Sequence, residues 1–380
     1  MARSVHAYVR GSTQKFYEWL ASESGGRIPD GPPVWICGDC HVGNLGPVAN
    51  AEGQVEIQIR DLDQTVIGNP AHDLVRLGLS LATAARSSDL PGVTTARMLE
   101  QMVEGYEAGF SRRTAIGKHS EDANPVKMAL KQALKRQWRH LAKERIEDVS
   151  PAIPLGKCFW TLSKEERGEI NRIFEDQATH DLVTCLRRRD SKDEVRVVDA
   201  AYWMKGCSSL GRLRYAVLLK TGAGKPEKSL CLIDIKEAAK AAAPRNANSS
   251  MPRDNAQRIV TGARALSPFL GERMLALRLF DRAVVMRELL PQDLKIEMNR
   301  ITREQAVAAA RFLAGVVGKA HARQMDAQTR KQWRDELRRN RSKTLDAPSW
   351  LWAGVVELIA DHETAYLEHC RKYATEVKAA

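Results

Sequence analysis

Residues 193–290 differ in character from the chain on either side. Short β-branched and Leu-rich runs at 195–198, 213–219, 230–235 and 282–290 interrupt a background in which apolar residues recur at helical spacing. The second and third runs flank a stretch, 221–228, rich in Gly, Pro and Lys, as the arms of a hairpin would. An island of antiparallel strand set between helical segments predicts an α+β fold with a small sheet segregated from a larger, mainly helical part. With 380 residues, the chain is long enough to bury a sizeable core and to divide into two or three lobes.

N-terminal to that island, the pattern predicts a helix over 6–22 and strands over 34–37 and 55–60. Turn chemistry at Asn50 and Gly53 separates the strands, and a helix over 72–85 follows. Residues 93–188 read as all-α, broken near Pro151 and Pro154, with one basic helix over 127–145. Within and after the island, 238–255 reads as a loop, 255–266 as a helix, and 302–325 and 350–373 as helices. Neither an internal repeat nor a low-complexity tract is present. The segments group as 1–115, a helical insert at 116–192, a β-rich unit at 193–300 and closing helices at 301–380.

No run approaches the roughly 18 apolar residues of a membrane helix, and the first residues lack the apolar stretch of a secretory signal, so a cytoplasmic location and no membrane partner are expected. Seven cysteines, an odd number in a long chain, do not read as a disulfide framework. The formal charge of +12 favours anionic partners: nucleotides, phosphorylated metabolites, nucleic acid or an acidic protein surface.

The densest chemistry is Cys37-Gly-Asp-Cys-His-Val-Gly-Asn44, followed by Ile57-Gln-Ile-Arg-Asp-Leu-Asp63. Cys37, Cys40 and His41 spell a haem-attachment motif, but that chemistry belongs to exported proteins, and a zinc site would need two further ligands at suitable spacing. Asp39 and Asn44, five apart, suit phosphoryl transfer, with a carboxylate facing an acceptor hydroxyl and an amide holding Mg²⁺ beside it. Asp61 and Asp63 after the next strand add metal ligands, their alternative being turn or capping residues. A second cluster, Lys205-Gly-Cys-Ser-Ser-Leu-Gly211, is not a Walker A loop. It fits a kinase-type Gly-rich loop with Ser208 at the middle position, and otherwise an ordinary hairpin turn. Lys236, at the end of a later strand, is placed to pair with nucleotide phosphates or else is a solvated edge charge.

Together these residues resemble the bacterial domain-of-unknown-function 2252 family, on Arg10-Gly11, Gly38 to Gly46, Asp61-Leu-Asp63, Lys236-Glu-Ala238 and Ala320-His-Ala-Arg323. They are also similar to the motifs of aminoglycoside phosphotransferases and protein kinases, but in a different order. The resemblance therefore implies a two-lobed, circularly permuted kinase-like fold. By it, Asp39 is the catalytic carboxylate and Asn44, Asp61 and Asp63 hold Mg²⁺. Gly206, Ser208, Gly211 and Lys236 clamp the phosphates of ATP, and Arg287 and Glu288 lie at the hinge near its base. Asp73 is read as structural and His321 as packed against, or bonded to, the catalytic loop. One part departs from the pattern: no clear Glu is available to pair with Lys236, since 255–266 carries Gln257, Arg258 and Arg264, and Glu237 and Glu272 are poorly placed.

The leading expectation is an ATP- and Mg²⁺-dependent phosphotransferase acting on a hydroxyl of a small molecule or protein, with nucleotidyl transfer as a variant. A non-catalytic nucleotide-binding pseudokinase is the alternative that the absent Glu favours. A nucleic-acid-binding role for the basic stretches 127–145 and 330–343 is the third, without a recognised nucleic-acid motif to accompany the charge.

Overall fold

The computed structural model describes residues 4–111, 125–146, 152–186, 189–205, 211–222, 229–296, 298, 301–339, 341 and 346–377. The chain opens with helices α1 (Val5–Gly11) and α2 (Thr13–Leu20), then alternates short strands with loops: β1 (Val34–Ile36), β2 (Leu45–Ala49), β3 (Val55–Ile59) and β4 (Val66–Gly68). Helices α3 (Pro70–Arg86), α4 (Gly92–Ala108), α5 (Pro125–Lys135) and α6 (Trp138–Ile146) follow, then β5 (Phe159–Trp160), α7 (Lys164–Glu175) and α8 (Gln177–Thr184). Next come β6 (Val195–Trp203), β7 (Arg214–Thr221), β8 (Leu230–Glu237), α9 (Asn255–Leu266), α10 (Pro268–Gly271), β9 (Met274–Leu279) and β10 (Arg282–Leu289). Helices α11 (Arg303–Ala322), α12 (Ala327–Arg338) and α13 (Ser349–Val377) complete the described chain.

Strands β5 to β10 form one six-stranded antiparallel sheet in the order β5-β6-β7-β8-β10-β9, while β1 pairs with β4 and β2 with β3 in two separate ribbons. The large sheet is covered on both faces, which explains why β7 is a nearly continuous apolar run. Tyr215, Val217 and Leu219 face Ile170, Phe174 and Val183 of α7 and α8, whereas Ala216 and Leu218 face Trp138, Leu141 and Ala142 of α6. The same alternation divides β8 and β10: Ile233 and Met286 belong to the first face, Leu232 and Leu289 to the second.

A larger core joins α3, α4, α11 and α13 to the two ribbons and α9. Helices α4 and α11 approach so closely that a Cβ on Gly318 would stand 2.2 Å from the Tyr106 carbonyl oxygen, so glycine is required there.

Several expectations need correction. The helix expected over 6–22 is two, because Ser12 closes the first with its N–H on the Val9 carbonyl. The single basic helix over 127–145 breaks at Arg136, where His140 Nδ1 accepts the Gln137 N–H (3.0 Å) and starts a new helix. The all-α stretch contains β5, two residues too short to leave a periodic signal, held by stacking of Phe159 on Trp203 and Trp160 on Tyr202. Strand β6 runs on to Trp203 past a register shift after Val197. Strands β2, β4 and β9 and helix α12 lie outside the elements that the sequence pattern predicts. In β2, Gly46 and Pro47 disguise the strand.

Candidate active site

The loop after β1 is fixed from below by a buried chain of polar side chains. Asp73, in the first turn of α3, accepts the Cys37 N–H (2.7 Å) and the Gly38 N–H (3.0 Å). His321 Nε2 of α11 lies 3.2 Å from the same carboxylate, and Tyr106 Oη of α4 meets His321 Nδ1 at 2.8 Å. Trp333 Nε1 of α12 donates to Tyr106 (3.2 Å), and each of these four side chains is at most 2% exposed. Gly38 has φ +75° and a Cβ there would strike the Gln64 carbonyl at 2.2 Å, so only glycine makes this turn.

That turn presents Asp39. Arg76 Nε donates to Oδ1 (2.9 Å) and Thr13 Oγ1 to Oδ2 (2.9 Å), while Arg76, fully buried, also donates to the Val9 carbonyl. Asn44 donates its amide to the Asp39 carbonyl oxygen (3.0 Å), leaving Asn44 Oδ1 without a hydrogen bond among the described residues. His41 stands 3.8 Å from Asp39 Oδ2. Burial first, with Arg76 and Arg10 adding to it against Asp39, brings its pKa down to about 4, so it is neutral at pH 7.

The β2–β3 ribbon brings Asn44 to Asp61. Leu45 pairs with Ile59, and the Arg60 N–H donates to the Asn44 carbonyl (2.7 Å), so the two ends of the ribbon release Asn44 and Asp61 side by side. Asp61 lies deep among protein atoms, yet its surface opens to solvent through the cavity. Burial alone would raise its pKa, but Lys236, Arg287, the Asp63 N–H and His41 outweigh this and hold it at about 2. Arg258 of α9 secures the following loop, donating to the carbonyls of Thr65, Asp63 and Ala239.

Across from this loop, the second face of the sheet is charged. Lys236 of β8 pairs with Asp63; burial opposes its charge, but Asp63 and Asp61 raise its pKa. Two residues earlier, buried Asp234 is gripped by Arg214 through Nε (3.1 Å) and Nη2 (2.7 Å), with Arg287 at 3.5 Å and Lys205 at 4.0 Å. Its pKa is driven well below the carboxylate range by these cations against the cost of burial. Lys205 also lies over the Trp203 ring, 4.4 Å from its centre. Its pKa is brought down to about 7, chiefly by burial and then by Arg214, Arg287 and Arg145, with Asp234 opposing.

Both walls enclose one cavity of about 630 Å³, lined by nine Lys and Arg side chains against five Asp. Asp39, Asn44, Asp61, Asp63, Lys236 and Arg287 all line it. Glu288 does not: the period of β10 turns it to the opposite face, where Arg189 holds it through two bonds of 2.6 and 2.9 Å. Gly206 and Ser208 lie outside the described residues. Gly211, with φ +70°, is a turn residue beside Arg212, and Arg212 rather than Gly211 lines the cavity. No Glu pairs with Lys236 among the described residues, since Glu237 accepts from Leu213 N and Arg282, and Glu272 from Ala51 N.

Sequence reasoning passed over Thr13, Arg76, Arg214 and Asp234. Two of these carried a signal: Arg76 is the lone charge between Leu74 and Ala85, and Asp234 interrupts the run Leu230 to Ile235. A lone charge inside an apolar element is a charge with a buried partner.

The described residues hold no cluster of three His, Cys, Asp or Glu that would hold a metal by itself. Asn44 and Asp61 instead offer two hard oxygen donors, the partial set that Mg²⁺ takes when phosphates and water supply the rest. No described helix is long and apolar enough to cross a membrane. No curated protein and no solved structure matches the chain. The family model for DUF2252, described as an uncharacterized protein conserved in bacteria, matches residues 1–372, and the chain belongs to that family.

Proposed function

We propose that the chain is an ATP- and Mg²⁺-dependent phosphotransferase with a circularly permuted, kinase-like arrangement of two lobes. The observation that carries this reading is the β2–β3 ribbon, which sets Asn44 beside Asp61 within one cavity that also holds Asp39 and Lys236. In protein kinases a catalytic-loop Asp and Asn, a metal-binding Asp and a strand Lys divide the same labour. The chain order of the sheet also agrees: a Lys on β8, then a helix (α9), then the two paired strands β9 and β10.

In this reading Asn44 and Asp61 hold Mg²⁺, which would neutralise charge on the phosphate oxygens. Lys236, now paired with Asp63, turns to the nucleotide phosphates, and Arg287, Arg214 and Lys205 extend that cationic surface. Leu141, Leu289 and Leu290 give an apolar patch for the base. Asp39, oriented by Arg76 and Thr13, receives the acceptor hydroxyl. Because two donors already occupy its oxygens, Asp39 acts more by orienting that hydroxyl than as a strong base.

The first experiment is calorimetric titration of the purified protein with ATP and MgCl₂, beside Asp61→Ala and Lys236→Ala. Binding by the wild type that weakens at least about tenfold in both variants is expected, each having lost a charge-assisted contact. A wild type that binds no nucleotide overturns the proposal and leaves an interaction protein as the better reading.

A further inference from the structure

Apart from the exposed Arg212, the cavity cations fall into two groups of four with different partners. Lys205, Arg214, Lys236 and Arg287 are matched to Asp234 or Asp63. Arg10, Arg60, Arg145 and Lys295 come from four separate parts of the chain and have almost no carboxylate among them. Among the described residues Arg10, Arg60 and Lys295 make no ion pair, and Arg145 meets only Glu144 (3.1 Å), which Arg136 shares. Asp293 is committed to Arg273 at 3.0 and 3.1 Å, and only its backbone oxygen accepts from Arg60 (2.9 Å). The Nε groups of Arg10 and Arg145 are buried without a hydrogen-bond partner.

These four cations gather around the start of the β2–β3 ribbon. The Arg10 guanidinium packs against Gly43, so that a Cβ there would lie 2.8 Å from Nε and Nη2. Gly46 is closed in by the Arg60 side chain (2.7 Å to Cδ) and by the carbonyl of Leu294, the neighbour of Lys295. Burial first, then Arg10, Arg60 and Arg145, bring the Lys295 pKa down against Asp61. Like charges held together around a cavity, with donors left unpaired, favour an anion that would satisfy them all. The place matters too, because Arg10 lies three residues before Thr13, which bonds Asp39, and Arg60 immediately precedes Asp61.

We infer that Arg10, Arg60, Arg145 and Lys295 form a second anion subsite, separate from the nucleotide phosphates, which binds an oxyanion group of the acceptor, making the substrate a phosphorylated or carboxylated hydroxy compound. This rests on the phosphotransferase reading for the role of acceptor, though not for the existence of the subsite. Such a group anchored beside Gly43 would lay a neighbouring hydroxyl near Asp39.

The test is calorimetry on the full chain with inorganic phosphate, and separately with acetate, in the presence and absence of saturating MgADP. The variants are Arg145→Gln/Lys295→Gln, changed at surface-reachable positions, and Lys236→Ala. Phosphate or acetate binding that persists with MgADP, falls at least about tenfold in the double variant and is unmoved by Lys236→Ala supports the subsite; whichever anion binds identifies the group. Anion binding with this pattern but no MgADP binding keeps the subsite and removes the nucleotide reading. MgADP binding with no independent anion binding, or anion binding abolished by MgADP and by Lys236→Ala, overturns the subsite and leaves the nucleotide reading intact.

Discussion

The loop of Asp39 and the strand face of Lys236 look at one another across a single cavity, yet they are held by different physics. Asp39 stands on a turn fixed by hydrogen bonds running through the buried side chains of Asp73, His321, Tyr106 and Trp333. Lys236 is held by Asp63, an acidic partner with 40% of its side chain exposed, so a phosphate could take the place of that carboxylate at little cost. One wall is prepared in advance, and the other keeps its charge in temporary pairs that an arriving anion can exchange. Preorganisation belongs where geometry decides the reaction, and exchangeable pairs where a ligand must enter and leave.

The largest effect that tests this contrast is on stability. Asp73→Ala leaves two buried N–H groups and His321 without their acceptor. It should cost about 3–5 kcal/mol by denaturant unfolding, the scale for removing one partner from a buried charged network. Lys236→Met should change stability by less than about 1 kcal/mol while weakening MgATP binding, because its ion pair is partly solvated. If the two substitutions cost the same, the two walls are not held differently.

A smaller effect sharpens the comparison through pH. Burial lowers the pKa of His6, His72 and His362 to about 4, all in or against the helical side. Each is below its ordinary value of 6.5, so the unfolded chain takes up protons first as pH falls. Their stabilising contribution is whole above about 6.5 and is lost progressively down to about 4, by up to about 1.4 kcal/mol per pH unit for each fully buried group. Asp61 and Asp234, held low, stay ionised through the same window. Melting temperature followed from pH 7 to 4 should therefore fall, and His362→Gln should flatten part of that slope. An unchanged slope in that variant would remove His362 from the account.

Much of the cavity is legible in the sequence because polar residues placed directly after short apolar strands have few places to go. Asp39, Asn44 and Asp61 stand out for that reason, and Lys236 because it closes a strand. The Lys236–Asp63 pair was not legible, since nothing in local pattern says which acid meets a Lys 173 residues away. Glu288 misled for the opposite reason: a motif position suggested the cavity, and the period of the strand sent it to the other face. Short or irregular elements such as β5 and the Gly-Pro strand β2 leave too few residues for periodicity, and only their partners define them. The break at Arg136 depends on a single capping contact that helical spacing does not encode.

The distance in sequence between Asp73 and His321 has a consequence for synthesis. Their contact spans 248 residues, and Trp35 of the neighbouring ribbon waits longer still, for Gln324 to satisfy its N–H and carbonyl at 2.7 and 3.0 Å. At ribosomal speeds of about 5–20 residues per second, the loop bearing Asp39 emerges on the order of 10–50 s before the helix that fixes it. During that interval the nascent chain carries the acidic half of its site without the scaffold that gives it shape.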